Sequence, residues 1–207
     1  MNKRIKRIIS VLVCVSLMMV ALPVEFTEYI GASIRILAAT NAGDSFTVDG
    51  LNYTVLSDNT SVTVTGATDT TITELKIPEL VRYDEYDFQV TEIFYRAFDD
   101  CSRLTQIVMG NNVEEIGDYA FAGCKNLTNI KLPNSLSDAG YRAFSECTRL
   151  EEITLPASLT GNASEMFSGC KSLKKVNFAE GATTIPNGLF KNMSITTFEC
   201  PDSITRI

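Results

Sequence analysis

Apolar residues return along the second half of this chain at a fixed interval and in a fixed order. Phe98, Phe121, Phe144, Phe167 and Phe190 lie 23 residues apart, as do Cys101, Cys124, Cys147 and Cys170, and Leu104, Leu127, Leu150 and Leu173. A period of this length describes a stack of similar coils, each burying its apolar side against the next, rather than a globule around one centre. Within each period a short segment alternates: Ile107 and Met109, Ile130 and Leu132, Ile153 and Leu155, Val176 and Phe178. Residues two apart on a strand point the same way, so each coil is predicted to contribute one strand to a parallel sheet, with these pairs facing inward. Pro133 and Pro156 close two of the strands, because proline has no N–H to give to the ladder. The far side of a coil, such as Gly117 to Cys124, has room for one helical turn at most.

Upstream the texture changes. Between Gly43 and Thr73 the runs Phe46–Val48, Tyr53–Leu56 and Ser61–Thr65 are β-branched and partly alternating, with Asp49-Gly50 and Ser57–Thr60 between them. They predict two or three antiparallel strands that cover the first coil. The expected organisation is a signal peptide and leader over 1–39, a small antiparallel β-rich N-terminal cap over 40–72, and repeats over 73–207.

Two departures from the period stand out. Leu75 and Ile107 are 32 residues apart, one period plus nine, and the surplus falls between Glu79 and Gln89. That stretch is expected to bulge as a loop carrying Tyr83, Tyr86 and Phe88 among acids. At the other end Ile195, Phe198, Cys200 and Ile207 follow Leu173, Val176, Phe178 and Ile185 by 22 residues, which puts Cys200 at a strand core position. The last strand is expected to leave an open edge through which molecules could self-associate.

The start of the chain reads as an export signal. Lys3, Arg4, Lys6 and Arg7 precede an apolar run from Ile8 to Leu22 broken only by Ser10 and Ser16, shorter than the roughly 20 residues of a membrane span. Ala38-Ala39 offers a small-residue cleavage site. The expected location is secreted or at a cell surface, with membrane contact only through the signal segment. Removing residues 1–39 leaves 13 basic and 23 acidic residues, a net charge of −10. Such a surface repels phosphate backbones and anionic lipid, which argues against nucleic-acid partners.

The chain contains no histidine and no tryptophan. Histidine-based catalysis and histidine metal sites are therefore excluded, and no glycine-rich phosphate loop appears. Glu114-Glu115 and Glu151-Glu152 occupy repeat positions and read as solvated faces. The reading is non-enzymatic, with no cofactor and no metal. Asn52, Asn59, Asn126, Asn162 and Asn192 match the Asn-x-Ser/Thr pattern, which carries information only in a glycosylating host. The periodic cysteines favour a column of buried reduced thiols, since they fall where neighbouring coils lie farther apart than their strands; disulfides and single-thiol metal binding are the alternatives. Asn162 falls where Ile93, Ile116 and Ile185 recur, so Asn162→Ile is expected to stabilise the fold unless the amide has found partners.

The stretch Val113-Glu114-Glu115-Ile116-Gly117-Asp118-Tyr119-Ala120-Phe121-Ala122-Gly123-Cys124-Lys125-Asn126-Leu127-Thr128-Asn129-Ile130-Lys131-Leu132-Pro133, with weaker copies on either side, resembles the BspA-like (type 5) leucine-rich repeats. The resemblance covers about Thr73 to Ile207. It implies a leucine-rich-repeat solenoid, export or surface display in bacteria and some protists, and adhesion to host matrix or other cells; it implies no catalytic residues. The expected function is a secreted or cell-surface protein-interaction module binding a protein or glycan ligand, the alternative being a structural or self-assembling spacer. Candidate contact residues are Tyr83, Tyr86 and Phe88 in the expanded coil, and Gln106, Lys131, Glu152 and Lys175 on the outward sheet face.

Overall fold

The computed structural model describes residues 41–195, 198 and 200–206, so the export signal and its cleavage site lie outside the described residues. The β-branched runs form β1 (Ser45–Val48), β2 (Leu51–Val55) and β3 (Ser61–Ala67), paired antiparallel in that order. Asp49 and Gly50 turn the first hairpin with φ of 49° and 79°, the left-handed pair that a two-residue hairpin favours. Phe46, Tyr53, Val55, Val62 and Val64 from this layer are buried in the same core as the repeats.

The expanded coil is not a loop. β4 (Glu74–Ile77) is followed by a hairpin of β5 (Leu80–Tyr83) and β6 (Tyr86–Ile93), closed by the pair Tyr83 and Tyr86. Val81, Phe88 and Val90 are buried between exposed or half-buried neighbours, the period of two that favours strand over bulge, and Ile93 follows Val90 by three residues where the β3–β6 register shifts. β3 pairs in parallel with β6, and β6 continues through β8 (Glu115–Ile116) to β10 (Asp138–Ala139). The N-terminal layer is thus the beginning of a mixed seven-stranded sheet rather than a separate lid.

Each coil touches two ladders, where the sequence suggested one. The expected ladder runs β4, β7 (Gln106–Met109), β9 (Asn129–Lys131), with Leu75, Ile107 and Ile130 in register 32 and 23 residues apart. It resumes as β11 (Glu152–Leu155) with β12 (Lys175–Phe178), again 23 apart. Between β9 and β11 no ladder forms, and a cleft of about 450 Å³ opens beside Asn129, Lys131, Glu152 and Thr154. At the strand ends Gly110 and Ala179 donate N–H to Ile77 and Leu155, a tie that Pro156, like Pro133 after β9, cannot make.

Behind the ladders Phe98, Phe121, Phe144 and Phe167 stack with centroid spacings of 5.2, 5.0 and 5.9 Å. Their rings are nearly parallel across the first two steps, at 6° and 7°. Cys101, Cys124, Cys147 and Cys170 are free and buried beside them, and Cys124, Cys147 and Cys170 donate S–H to the carbonyls of Phe98, Phe121 and Phe144 at 3.4, 3.5 and 3.1 Å. Burial pushes the Cys124 thiol well above its ordinary pKa. Cys200 is also free but exposed, contrary to a core position, and Phe198 is partly exposed with it. The 22-residue spacing itself holds on the second ladder, where Thr184 bridges Arg206.

Among the described residues no helical turn forms on the far side of the coils. The chain turns instead through two left-handed residues per coil. One file is Arg96, Tyr119, Arg142, Glu165 and Gly188 with φ of 54–72°; the other is Asp100, Gly123, Glu146, Gly169 and Asn192 with φ of 57–76°. Tyr119 donates N–H to Tyr141 O, and Phe98, Phe121 and Phe144 donate to Ala120, Ala143 and Met166, so bonds between coils alternate with local turn bonds such as Ala97 N–H to Phe94 O and Ala120 N–H to Gly117 O. Asn162 is half-buried, and its Oδ1 accepts the N–H of Ser164 at 3.2 Å. The amide has found a backbone partner.

Candidate interaction surfaces

The outward face of the first ladder holds four of the residues expected to meet a partner. Gln106 and Lys131 sit on adjacent coils, while Glu152 lies across the cleft. Glu152 Oε1 accepts Lys175 Nζ at 2.9 Å and Asn177 Nδ2 at 2.6 Å, which holds its carboxyl below the ordinary range. These groups satisfy one another. Val108, partly exposed, is the apolar member of this face on β7, and no tyrosine or arginine lies among its outward residues.

The tyrosine-rich hairpin divides. Phe88 is 2% exposed and packs 5.7 Å from Phe46, so burial removes it as a contact residue. Tyr83 stacks on Phe46 at 4.2 Å with the rings 7° apart, and Tyr86 is tilted against Phe88 at 6.4 Å. Both tyrosines remain half-buried, each with one side committed to the N-terminal core. Arg82 and Asp87 form an exposed ion pair at 3.7 Å beside them.

A third surface joins residues that the sequence did not bring together. After β6, Phe94 and Tyr95 are 47% and 50% exposed. Tyr95, Tyr119 and Tyr141 form a file across three coils, edge to face, with centroids 6.5 and 5.5 Å apart. The Arg96 guanidinium lies 5.4 Å from the Tyr95 ring and 5.1 Å from Tyr119, and Arg142 lies 5.1 Å from Tyr141. Arg96, Tyr119 and Arg142 hold the left-handed position of their coils in this grouping, and Tyr95 and Tyr141 immediately precede two of them. Tyr95 and Tyr141 share a repeat position, but Tyr119 occupies the next one, so no single column of the sequence shows the file.

The file ends in an anchored carboxylate. Glu165, 3% exposed, accepts Tyr141 Oη at 3.1 Å, the Arg142 guanidinium at 2.7 and 2.8 Å, and Lys191 Nζ at 2.8 Å. Lys191, then Arg142, pull its carboxyl down to about 2. The residue therefore clamps three successive coils. Along the preceding strands Glu92, Glu115 and Asp138 pair in register on neighbouring coils, and burial together with Glu115 raises Glu92. Among the described residues no group of three or more histidine, cysteine, aspartate or glutamate side chains is arranged to hold a metal ion.

The profile of the BspA type leucine rich repeat region matches residues 91–207 in 6 copies. The chain belongs to the BspA-type leucine-rich repeat family. Three solved structures show the same fold: a leucine rich cell surface protein from Faecalibacterium prausnitzii, at 25% identity and a TM-score of 0.58; a leucine rich repeat protein of T. pallidum, at 27% and 0.58; and a leucine-rich repeat protein from Bacteroides capillosus, at 27% and 0.59. They cover 80%, 70% and 65% of this chain, and are themselves covered to 51%, 62% and 98%. This BspA-type chain thus spans about half to two thirds of the length of the first two. No curated protein matches it in sequence. Leucine-rich repeats of this kind commonly bind proteins and are typically non-catalytic.

Proposed function

We propose that this BspA-type protein is a secreted or cell-surface interaction module that docks a protein partner on the Tyr95–Tyr119–Tyr141 file with Arg96 and Arg142. The observation that carries the reading is a line of tyrosine and arginine, the residue types that dominate binding hot spots, across consecutive coils, with Tyr95 and Arg96 exposed and Tyr119, Tyr141 and Arg142 half-buried. The first-ladder face, with Gln106, Lys131, Glu152 and Lys175, then serves as a polar flank. Surface location is supported by the basic-then-apolar start of the chain and by the likeness to the F. prausnitzii cell surface protein. Adhesion to host matrix or to other cells is the use that fits such a surface.

The test is capture of extracellular or surface proteins by the purified chain, compared with Tyr95→Ser and Tyr141→Ser variants. Saturable capture that both substitutions weaken supports the proposal. Capture unchanged by both but lost on substitution of Lys131 and Lys175 would move the site to the first ladder. A second reading, self-association, draws on β12, whose outer edge pairs with no strand among the described residues and where Phe178 and Phe198 lie 6.3 Å apart. Concentration-dependent mass in sedimentation, abolished by Val176→Pro, would favour it.

A further inference from the structure

The aromatic file carries information about the chemistry of its partner. We infer that the file of Tyr95, Tyr119 and Tyr141, with the acidic strand positions Glu92, Glu115 and Asp138 beside it, docks an extended lysine- or arginine-bearing protein segment. This inference rests on the interaction function proposed above and narrows it to one class of partner.

Three observations support the cationic character of the segment. First, the protein already places a cation on this surface: the Arg96 guanidinium rests within 5.4 Å of one ring centroid and 5.1 Å of the next. Such contacts are favoured by the negative faces of the rings, and Arg96 shows that the spacing of this file accommodates them. Second, every coil that contributes a tyrosine also contributes a carboxylate three or four residues earlier: Glu92 before Tyr95, Glu115 before Tyr119, Asp138 before Tyr141. The ladder brings Glu92 level with Glu115, and Glu115 level with Asp138. Like charges one strand apart, at about 4.8 Å, repel; burial first, and Glu115 second, hold the Glu92 carboxyl above its ordinary range. A cation laid between Glu92 and Glu115 relieves the repulsion, so that part of the surface has a free-energy reason to accept positive charge, whereas the Asp138 carboxylate already accepts the N–H of Asn162 at 3.0 Å. Third, Arg142 is bound to the buried Glu165 and Arg96 lies 3.6 Å from Asp99. Asp99 compensates Arg96, whereas Glu165 is shared between Arg142 and Lys191, so the Tyr95–Tyr119 end of the file is the end open to a basic segment.

Geometry selects an extended chain. Side chains two residues apart on an extended segment are spaced by about 6.5 Å, close to the 6.5 and 5.5 Å between successive tyrosine rings. A segment running across the coils can therefore set alternate side chains on successive rings, with lysine or arginine ammonium and guanidinium groups reaching the neighbouring carboxylates. The half-exposed Phe94 at the start of the file offers an apolar contact for the segment's end.

The experiment uses fluorescence anisotropy of two labelled probes, a peptide of alternating lysine and serine and its glutamate–serine counterpart, with the whole protein. The lysine peptide is expected to bind saturably, more weakly as salt is raised, and the glutamate peptide not to bind. Tyr95→Ser is expected to weaken the lysine peptide by roughly fivefold or more, while Tyr95→Phe, which keeps the ring, retains affinity. Glu92→Gln with Glu115→Gln is expected to weaken binding while leaving the melting temperature unchanged or higher, which separates loss of recognition from loss of fold. Equal binding of both peptides overturns the inference. So does lysine-peptide binding that is indifferent to Tyr95→Ser and to the Glu92 and Glu115 changes, because net charge alone would then account for it. If neither peptide binds but protein capture still depends on Tyr95 and Tyr141, the cationic segment is wrong and the interaction function stands; if that capture is also insensitive to the tyrosines, both fall.

Discussion

Truncating Phe121 to alanine removes a fully buried ring from the middle of a stack in which it contacts Phe98 at 5.2 Å and Phe144 at 5.0 Å. Deleting a buried phenylalanine side chain costs about 3–5 kcal/mol through lost transfer energy and the cavity left behind. The ring is sandwiched on both faces by nearly parallel neighbours, each pair worth about 0.5–1.5 kcal/mol beyond area, so the upper half of that range, about 4 kcal/mol, is expected. Phe190 is the contrasting case. It repeats the same position, yet it is half-buried and touches Phe198 rather than continuing the stack, and Phe190→Ala should cost about 1–2 kcal/mol. Urea unfolding followed by far-ultraviolet circular dichroism suits a chain without tryptophan. Phe121→Ala should also lower the urea dependence if the array separates into two cooperative halves, as nearest-neighbour coupling predicts. A loss below about 1.5 kcal/mol, or one no larger than for Phe190→Ala, would refute the view that the phenylalanine stack carries the coil-to-coil stability.

Other perturbations follow from single contacts. Gly140→Ala places a Cβ on the backbone of Gly117 and Asp118 in the preceding coil and should destabilise by about 2 kcal/mol, read as a lower urea midpoint. Glu165 is depressed to about 2 by Lys191 and Arg142, so its contribution is full above the ordinary glutamate range and is lost as pH falls from about 4.5 towards 2; Glu165→Gln should flatten that part of the stability–pH curve. Asn162→Ile, a gain by the sequence pattern alone, should instead cost about 1 kcal/mol because the bond to Ser164 N–H is lost, and a raised melting temperature would refute this. Cys200 should react with a thiol reagent at once, whereas Cys101, Cys124, Cys147 and Cys170 should react only at the rate of unfolding; early reaction of any of the four would contradict their burial.

The period of Phe98, Phe121, Phe144 and Phe167 made the stack legible because burial at one position per coil demands one residue type. The inward pairs of the strands were legible for the same reason, through their period of two. The β5–β6 hairpin was legible in principle, since Val81, Phe88 and Val90 alternate with polar residues, but the acids between them pointed to loop. The second ladder was hidden: β8 and β10 are two residues long, too short for any alternation to register. The left-handed turns were half visible. Gly123 and Gly169 mark one file, whereas the other holds Arg96, Tyr119, Arg142 and Glu165, residue types that give no backbone signal. The aromatic file depends on those turns, so its residues could not be grouped by spacing alone.

The first left-handed file also sets a conflict between durability and distinctiveness. A residue with a side chain in this conformation is strained by roughly 1–2 kcal/mol relative to right-handed backbone, a cost that glycine avoids, and Gly188 shows that the coil accepts glycine there. A redesign towards glycine at residues 96, 119 and 142 would relax the turns and at the same time erase the guanidinium and tyrosine from the surface. The identity of this protein among otherwise interchangeable coils is therefore written where the backbone least favours any side chain, and the stability recovered by blanking those positions would measure how strongly that surface has been retained against the fold's own preference.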